Sequence, residues 1–204
     1  IHGGLFHSQN PEAWFFHSPG LKIVAPATAY DAKGLLKSAI RDDDPVLYFE
    51  HKYLYRRIKE DLPDKEYLVP IGKADIKREG KDLTMITYGA TLHLCLEAAN
   101  ILQKEKIETE VVDLRTLLPL DRETILNSVK KTNKVMVVHE DRKTGGIGGE
   151  IAAVIAEEAF EYLDGPVTRV ASLDTHYAFS PPLEEFILPT TEKIVAKARE
   201  LARY

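Results

Sequence analysis

The stretch LTMITYGATLHLCLEAANILQKEKIETEVVDLRT, residues 83–116, decides the fold. Its first part, LTMITYG (83–89), is a short β-branched and apolar run closed by glycine, which reads as a strand. Leu92, Cys95, Leu96, Ala99 and Leu102 then recur at three- and four-residue spacing, which places them on one face of a helix. TEVVDLRT (109–116) is a second strand. Strand, helix, strand with short links is the unit of a parallel sheet, because parallel neighbours need a crossover long enough to hold a helix.

The same alternation continues downstream. Asp121 stands where it would cap a helix carrying Ile125, Leu126 and Val129. KVMVVHE (134–140) is a third strand, valine-rich as strands buried on both faces are. Glycines at 145–149 lead into a helix with Ile151, Val154, Ile155 and Ala159, and VTRVAS (167–172) is a fourth strand. A last helix runs from about Thr191, with Ile194, Ala198, Leu201 and Ala202 on one face. Upstream, LKIVAP (21–26) is a strand, and Thr28 with Asp31 forms a capping-box variant. The helix it opens carries Ala32, Leu35, Leu36, Ala39 and Ile40 as an apolar stripe. Gly34 inside it costs about 1 kcal/mol against alanine, which predicts close packing against a neighbour. Asp42, Asp43 and Asp44 end that helix before Pro45, and VLYFE (46–50) is the next strand. Residues 56–75, with Pro63, Pro70 and no sustained period, read as a crossing segment that separates two domains. The fold class is α/β with a mainly parallel, doubly wound sheet.

Length and charge bound the function. A chain of 204 residues suits one large domain or two small ones. Lys plus Arg is 27 against 32 for Asp plus Glu, a net charge of −5, which argues against a nucleic-acid binder. The longest uninterrupted apolar run, Ile151 to Ala156, falls far below the roughly 20 residues a membrane span needs. Cys95 is the single cysteine, so no intrachain disulfide and no cysteine metal cluster is available, as expected of a soluble protein in a reducing compartment. The opening IHGGLFHSQNPEAWFFH lacks the basic-then-apolar order of a signal peptide. It reads as the middle of a working domain, and the chain as a piece of a longer polypeptide.

Several local patterns have competing readings. TGGIGGE (144–150) follows a strand and opens a helix, where a phosphate could sit, but the spacing is not G-x-G-x-x-G, and a tight turn is the preferred reading. HKYLYRRIK (51–59) interleaves bases with aromatics, yet acidic residues follow at once, and we read it as a solvated strand exit. Asp42 to Asp44 lacks the glycine turn of a calcium loop. Those carboxylates follow the free carbonyls of a helix end, so a monovalent cation and a plain solvated terminus are both open. His7, among glycines and aromatics, reads by itself as a structural histidine, with proton relay or substrate hydrogen bonding as the alternative.

The longer wording narrows this. GGLFHSQNPEAWFFHSPGLKIVAPATAYDAKGLLKSAIRDDDPVLYFEHKYLYR (3–56), IGKADIKREGKDLTMITYG (71–89), VVDLRTLLPLD (111–121) and SPPLEEFILPTTEKIVAKARELA (180–202) resemble the β-subunit of thiamine diphosphate-dependent 2-oxo acid dehydrogenases, the decarboxylating first components of their complexes. The resemblance implies that residues 1–57 are the C-terminal portion of a pyrimidine-binding domain, 58–71 a linker and 72–204 a transketolase C-terminal-like domain. It implies decarboxylation of a 2-oxo acid and acyl transfer to lipoyl-lysine, with branched-chain substrates favoured and pyruvate or acetoin dehydrogenases as alternatives. His7 matches the family's active-site histidine in H-S-Q. Thiamine diphosphate and its Mg2+ would be held by the α-subunit or α-part and by the portion of the β-part preceding Ile1, so no cofactor-binding residue is assigned here. A potassium ion is implied at Ala39, Ile40, Asp42 and Asp44. The implied partners are the α-part, a second β-chain and the lipoyl acyltransferase component, in the cytoplasm, or the mitochondrial matrix of a eukaryote; no nucleic acid and no membrane is implied. The C-terminal domain, lacking a comparable cluster of titratable residues, is expected to serve assembly, and a non-catalytic assembly module is the contrasting reading of the whole chain.

Overall fold

Three side-chain caps start three helices of the structure, a computed structural model describing residues 1–204. Thr28 Oγ1 accepts from the Asp31 amide at 3.0 Å, Asp121 Oδ1 from the Thr124 amide at 3.3 Å, and Thr190 Oγ1 from the Lys193 amide at 3.3 Å. The chain begins with two short helices, α1 (Gly4–His7) and α2 (Glu12–Phe16), followed by β1 (Lys22–Val24), α3 (Ala29–Ile40) and β2 (Val46–Tyr48). The solvated strand exit read at 51–59 is a 3-10 turn, Lys52–Arg56, with no buried residue. Then come β3 (Asp75–Arg78), β4 (Leu83–Thr87), α4 (Thr91–Lys104), β5 (Thr109–Asp113), β6 (Thr116–Leu118), α5 (Arg122–Thr132), β7 (Val135–Arg142), α6 (Gly148–Glu158), β8 (Thr168–Ser172), α7 (Pro181–Ile187) and α8 (Thr191–Leu201).

The larger sheet has the order β3-β5-β4-β7-β8, with β4, β5, β7 and β8 parallel and β3 antiparallel at the edge. Alternate residues of its central strands enter opposite cores. Met85, Val111, Met136 and Val138 pack with α4 and α8, whereas Ile86, Val112, Val135 and Val137 pack with α5 and α6. Both faces are therefore covered by helices, as a doubly wound sheet requires.

The smaller sheet has the order β2-β1-β6, with β2 parallel and β6 antiparallel to β1. Its third strand comes from a distant part of the chain. Arg115, with φ of +55°, turns the chain out of β5 so that Thr116–Leu118 pair with Ile23 and Val24. The sequence predicts one strand over 109–116; the structure breaks it at this left-handed residue and shares it between two sheets.

The 58–71 stretch has no regular elements but lies against α3. Val69 is buried against Val24 and Leu35, Ser38 Oγ donates to the Val69 carbonyl at 2.6 Å, and Tyr67 stacks on Tyr30 at 4.3 Å. A Cβ on Gly34 would overlap Val69, which is the close neighbour that this glycine predicted. The α3 stripe is only partly covered: Leu35 is buried, but Leu36 and Ile40 are exposed. No helix is long and apolar enough to cross a membrane.

Candidate functional site

Because β4, β5, β7 and β8 run parallel, their carboxyl ends share one edge of the sheet, where open α/β sheets bind ligands. The opening segment of the chain lies across this edge, held by the side chains that follow His7. Gln9 Oε1 accepts from Arg142 Nη2 at the end of β7 at 3.0 Å, and Gln9 Nε2 closes back onto the Leu5 carbonyl at 2.6 Å. Asn10 Oδ1 accepts from the Tyr177 hydroxyl at 3.2 Å. Glu12, buried under α2, accepts from the Tyr88 hydroxyl at the end of β4 at 2.9 Å. Burial raises the Glu12 carboxyl, and Tyr88 beside it is pushed well above the usual phenol range, again by burial.

His7 itself ends α1, exposed to solvent and making no hydrogen bond, while Phe6 (77% exposed) and Trp14 (61%) stand bare on the same segment. The structure thus separates the motif into one free imidazole and a set of tethers. His51 adds a further contact between the two parts of the chain, with Nε2 at 2.9 Å from Glu140 Oε2. Burial presses this imidazole toward neutrality, but the Glu140 carboxylate outweighs it and the net shift is upward.

The proposed cation ligands form a different arrangement. Asp42 carries Lys22 Nζ at 2.6 and 2.8 Å, and Asp44 carries the same ammonium at 3.0 Å. The Ala39 carbonyl accepts from the Arg41 amide, and from the Asp42 amide at 3.4 Å. The positive charge facing the Asp42 and Asp44 carboxylates is the Lys22 ammonium.

A buried ionic cluster joins the two parts of the chain. Asp31, fully buried at the start of α3, takes Lys77 Nζ at 2.7 Å and Arg115 Nη1 at 3.0 Å. Burial opposes ionisation of Asp31, but the Lys77, Thr28 and Arg115 contacts together hold its carboxyl below the usual range. Arg115 also donates to the Lys73 and Ala74 carbonyls at 3.1 and 3.0 Å. Asp113 behind it is pushed up to about 7 by burial, against the pull of Lys77. Under α6, His139 is buried with both ring nitrogens unpartnered and lowered to about 4 by burial and the Arg169 charge. Gly148 packs so closely on His139 that a Cβ would overlap the ring. The glycines of TGGIGGE therefore serve a turn at Gly145, where φ is +78°, and an approach to this histidine, with no phosphate needed to account for them.

Residues 72–194 match the transketolase C-terminal domain family, and residues 2–57 match the transketolase pyrimidine-binding domain family. The chain belongs to the transketolase C-terminal domain family. It is 51% identical over 205 residues to the 2-oxoisovalerate dehydrogenase subunit beta of Bacillus subtilis, covering 100% of this chain and 63% of that one. It is 45% identical to 2-oxoisovalerate dehydrogenase subunit beta 2, mitochondrial, of Arabidopsis thaliana (100% and 56%), and 46% identical to the pyruvate dehydrogenase E1 component subunit beta of Bacillus subtilis (100% and 62%). The chain thus spans about three-fifths of the length of these curated relatives. Among solved structures, a split-gene transketolase described as an inactive beta4 tetramer superposes with a TM-score of 0.78 at 28% identity, covering 94% of this chain and 60% of that one. A transketolase of Pichia stipitis gives 0.65 at 15% identity, covering 98% and 28%, which shows the fold alone.

Proposed function

We propose that this chain is part of the β-part of a 2-oxo acid dehydrogenase that decarboxylates a branched-chain 2-oxo acid and passes the acyl group to lipoyl-lysine. The observation that carries the reading is the treatment of His7. The side chains of Gln9, Asn10 and Glu12 are each held by the sheet's carboxyl edge, and the imidazole alone is left free beside exposed aromatics. A histidine kept unpartnered on a tethered turn is suited to hold or move a proton at a bound substrate.

Thiamine diphosphate with Mg2+ would supply the electron sink for the departing carboxylate when bound. None of the residues described above is assigned to hold it; that task falls to the α-part and the remainder of the β-part. His7 would contribute by orienting the substrate carboxylate or by moving a proton during transfer to lipoyl. The bare faces of Phe6 and Trp14 suit cover by a partner polypeptide, and we assign that role to the α-part, with a second β-chain and the lipoyl acyltransferase component completing the assembly. The setting would be the cytoplasm of a bacterium or the mitochondrial matrix of a eukaryote.

A potassium ion at Ala39, Ile40, Asp42 and Asp44 is a separate part of the proposal, and it would have to compete with Lys22 for the carboxylates. Equal melting temperatures of the assembled enzyme in potassium and sodium chloride would remove it.

The test is turnover by the full-length β-part assembled with its α-part. Oxidative acylation of a lipoyl domain with 2-oxoisovalerate, strongly lowered but still measurable on His7→Ala, is the expected result. Absence of turnover with any 2-oxo acid would overturn the reading. Strong preference for pyruvate would move the substrate to the second reading, a pyruvate dehydrogenase β-part.

A further inference from the structure

The turn that carries His7 is clasped from the opposite end of the chain. Glu184 lies on α7 and is buried, with 4% exposure. Its carboxylate accepts from the His2 amide at 3.0 and 3.3 Å, before α1. It also receives the Ser8 hydroxyl at 3.5 Å, just after α1, and the same Ser8 oxygen accepts from the Gly3 amide at 3.1 Å. One buried carboxylate therefore brackets the single helical turn on both sides of His7. The His2 ring adds a contact, with Nδ1 at 2.7 Å from Glu184 Oε2.

Two neighbours of Glu184 in sequence reinforce the clasp. The Phe179 ring occupies the space where a Cβ on Gly4 would stand, and Gly4 takes a φ of +63° to fit beneath it. Tyr177 reaches Asn10. His2 is also left-handed, with φ of +53°, a conformation uncommon for a residue other than glycine. A four-residue helix has almost no stability of its own, so the direction of the His7 side chain depends on these outside contacts.

Resting on the function proposed above, we propose that Glu184 is a positioning residue: it fixes the α1 turn so that His7 stands ready for acyl transfer. Glu184 acts through His7 and has no contact with substrate in this role. Its neighbour Glu185 is exposed and serves as the control.

The test uses the full-length β-part assembled with its α-part and cofactor. Glu184→Ala should lower the turnover number for lipoyl-domain acylation about 10- to 100-fold, the range typical of lost supporting contacts, with KM for 2-oxoisovalerate unchanged. Glu184→Gln keeps an acceptor for the His2 amide and should restore most of the rate; Glu185→Gln should change nothing. In a His7→Ala background, Glu184→Ala should cost nothing further. Hydrogen exchange supplies a readout independent of turnover, and Glu184→Ala should speed exchange at the amides of residues 2–8 while the sheet stays protected. A double variant slower than His7→Ala alone, a Gln variant as poor as Ala, or unchanged exchange at residues 2–8 would each overturn the proposal. If the wild-type assembly turns over no 2-oxo acid, the function reading fails by itself, and the exchange result alone decides the clasp.

Discussion

The two sheets are held by different forces. The five-stranded sheet is sealed on both faces by aliphatic side chains from four helices, and Met85, Ile86, Val111, Val112, Met136 and Val137 are all fully buried in it. The three-stranded sheet borrows its third strand from beyond β5, and the chain is locked there by Arg115, which ties Asp31 to the carbonyls of Lys73 and Ala74. An apolar sheet tolerates exchanges that conserve volume, whereas a buried ionic joint fails when one partner is removed.

The largest expected effect lies at that joint. Arg115→Met should cost about 3–5 kcal/mol, because it leaves the buried Asp31 carboxylate short of a partner and two carbonyls without donors. Urea denaturation of the assembled protein would measure it, and a cost below that of the apolar substitution given last would erase the contrast.

The pH dependence turns on two buried groups of the five-stranded sheet, Asp113 and His139. Asp113, at about 7 in the fold against the usual 3.8, is protonated when folded and ionised when unfolded between those values. Its contribution to stability is thus present at low pH and lost as pH rises toward 7. Asp113→Asn should therefore gain on the wild type by about 1 kcal/mol per pH unit across that window and level off above it. His139, at about 4 against 6.5, has the opposite sign: it stabilises above 6.5, and the contribution is lost as pH falls to 4. The two slopes oppose each other between pH 4 and 6.5, so the variant should expose an acid-side decline that the wild type partly masks. Parallel stability curves for variant and wild type would contradict the buried state of Asp113.

Smaller effects belong to the apolar sheet. Gly148→Ala should cost about 1–3 kcal/mol by forcing a methyl group into the His139 ring. Met85→Leu, nearly volume-conserving in a fully buried site, should cost less than about 1.5 kcal/mol. Both are read from the same urea curves, and a Met85→Leu cost above that of Arg115→Met would reverse the comparison.

The same contrast explains what the sequence could show. The strands at 83–87, 109–113, 135–142 and 168–172, the caps at Thr28 and Asp121 and the helix beginning at Thr191 follow from local periodicity, because both faces of the sheet and one face of each helix are apolar. The polar edge strand Asp75–Arg78 carries no such pattern, and β6 gives no glycine or proline to announce the turn made by Arg115. The helix Pro181–Ile187 did have a readable start, with Ser180 ahead of two prolines. Leu36 and Ile40 fit the apolar period of α3 yet lie exposed, since period reports a face and not what covers it. His7 was reached through the H-S-Q wording. Its clasp was not, because Ser8 and Glu184 are 176 residues apart and no spacing encodes a contact of that length.

The pairing of β1 with β6 also bears on how the chain would behave if severed. A cut in the 58–71 stretch would leave one fragment holding Ile23 and Val24 and another holding their partners at 116–118. Each fragment would then be the other's ligand. What is a fixed intramolecular arrangement in the intact chain would become a binding equilibrium, and the melting temperature of the mixture would climb with concentration while that of the uncut protein stayed constant.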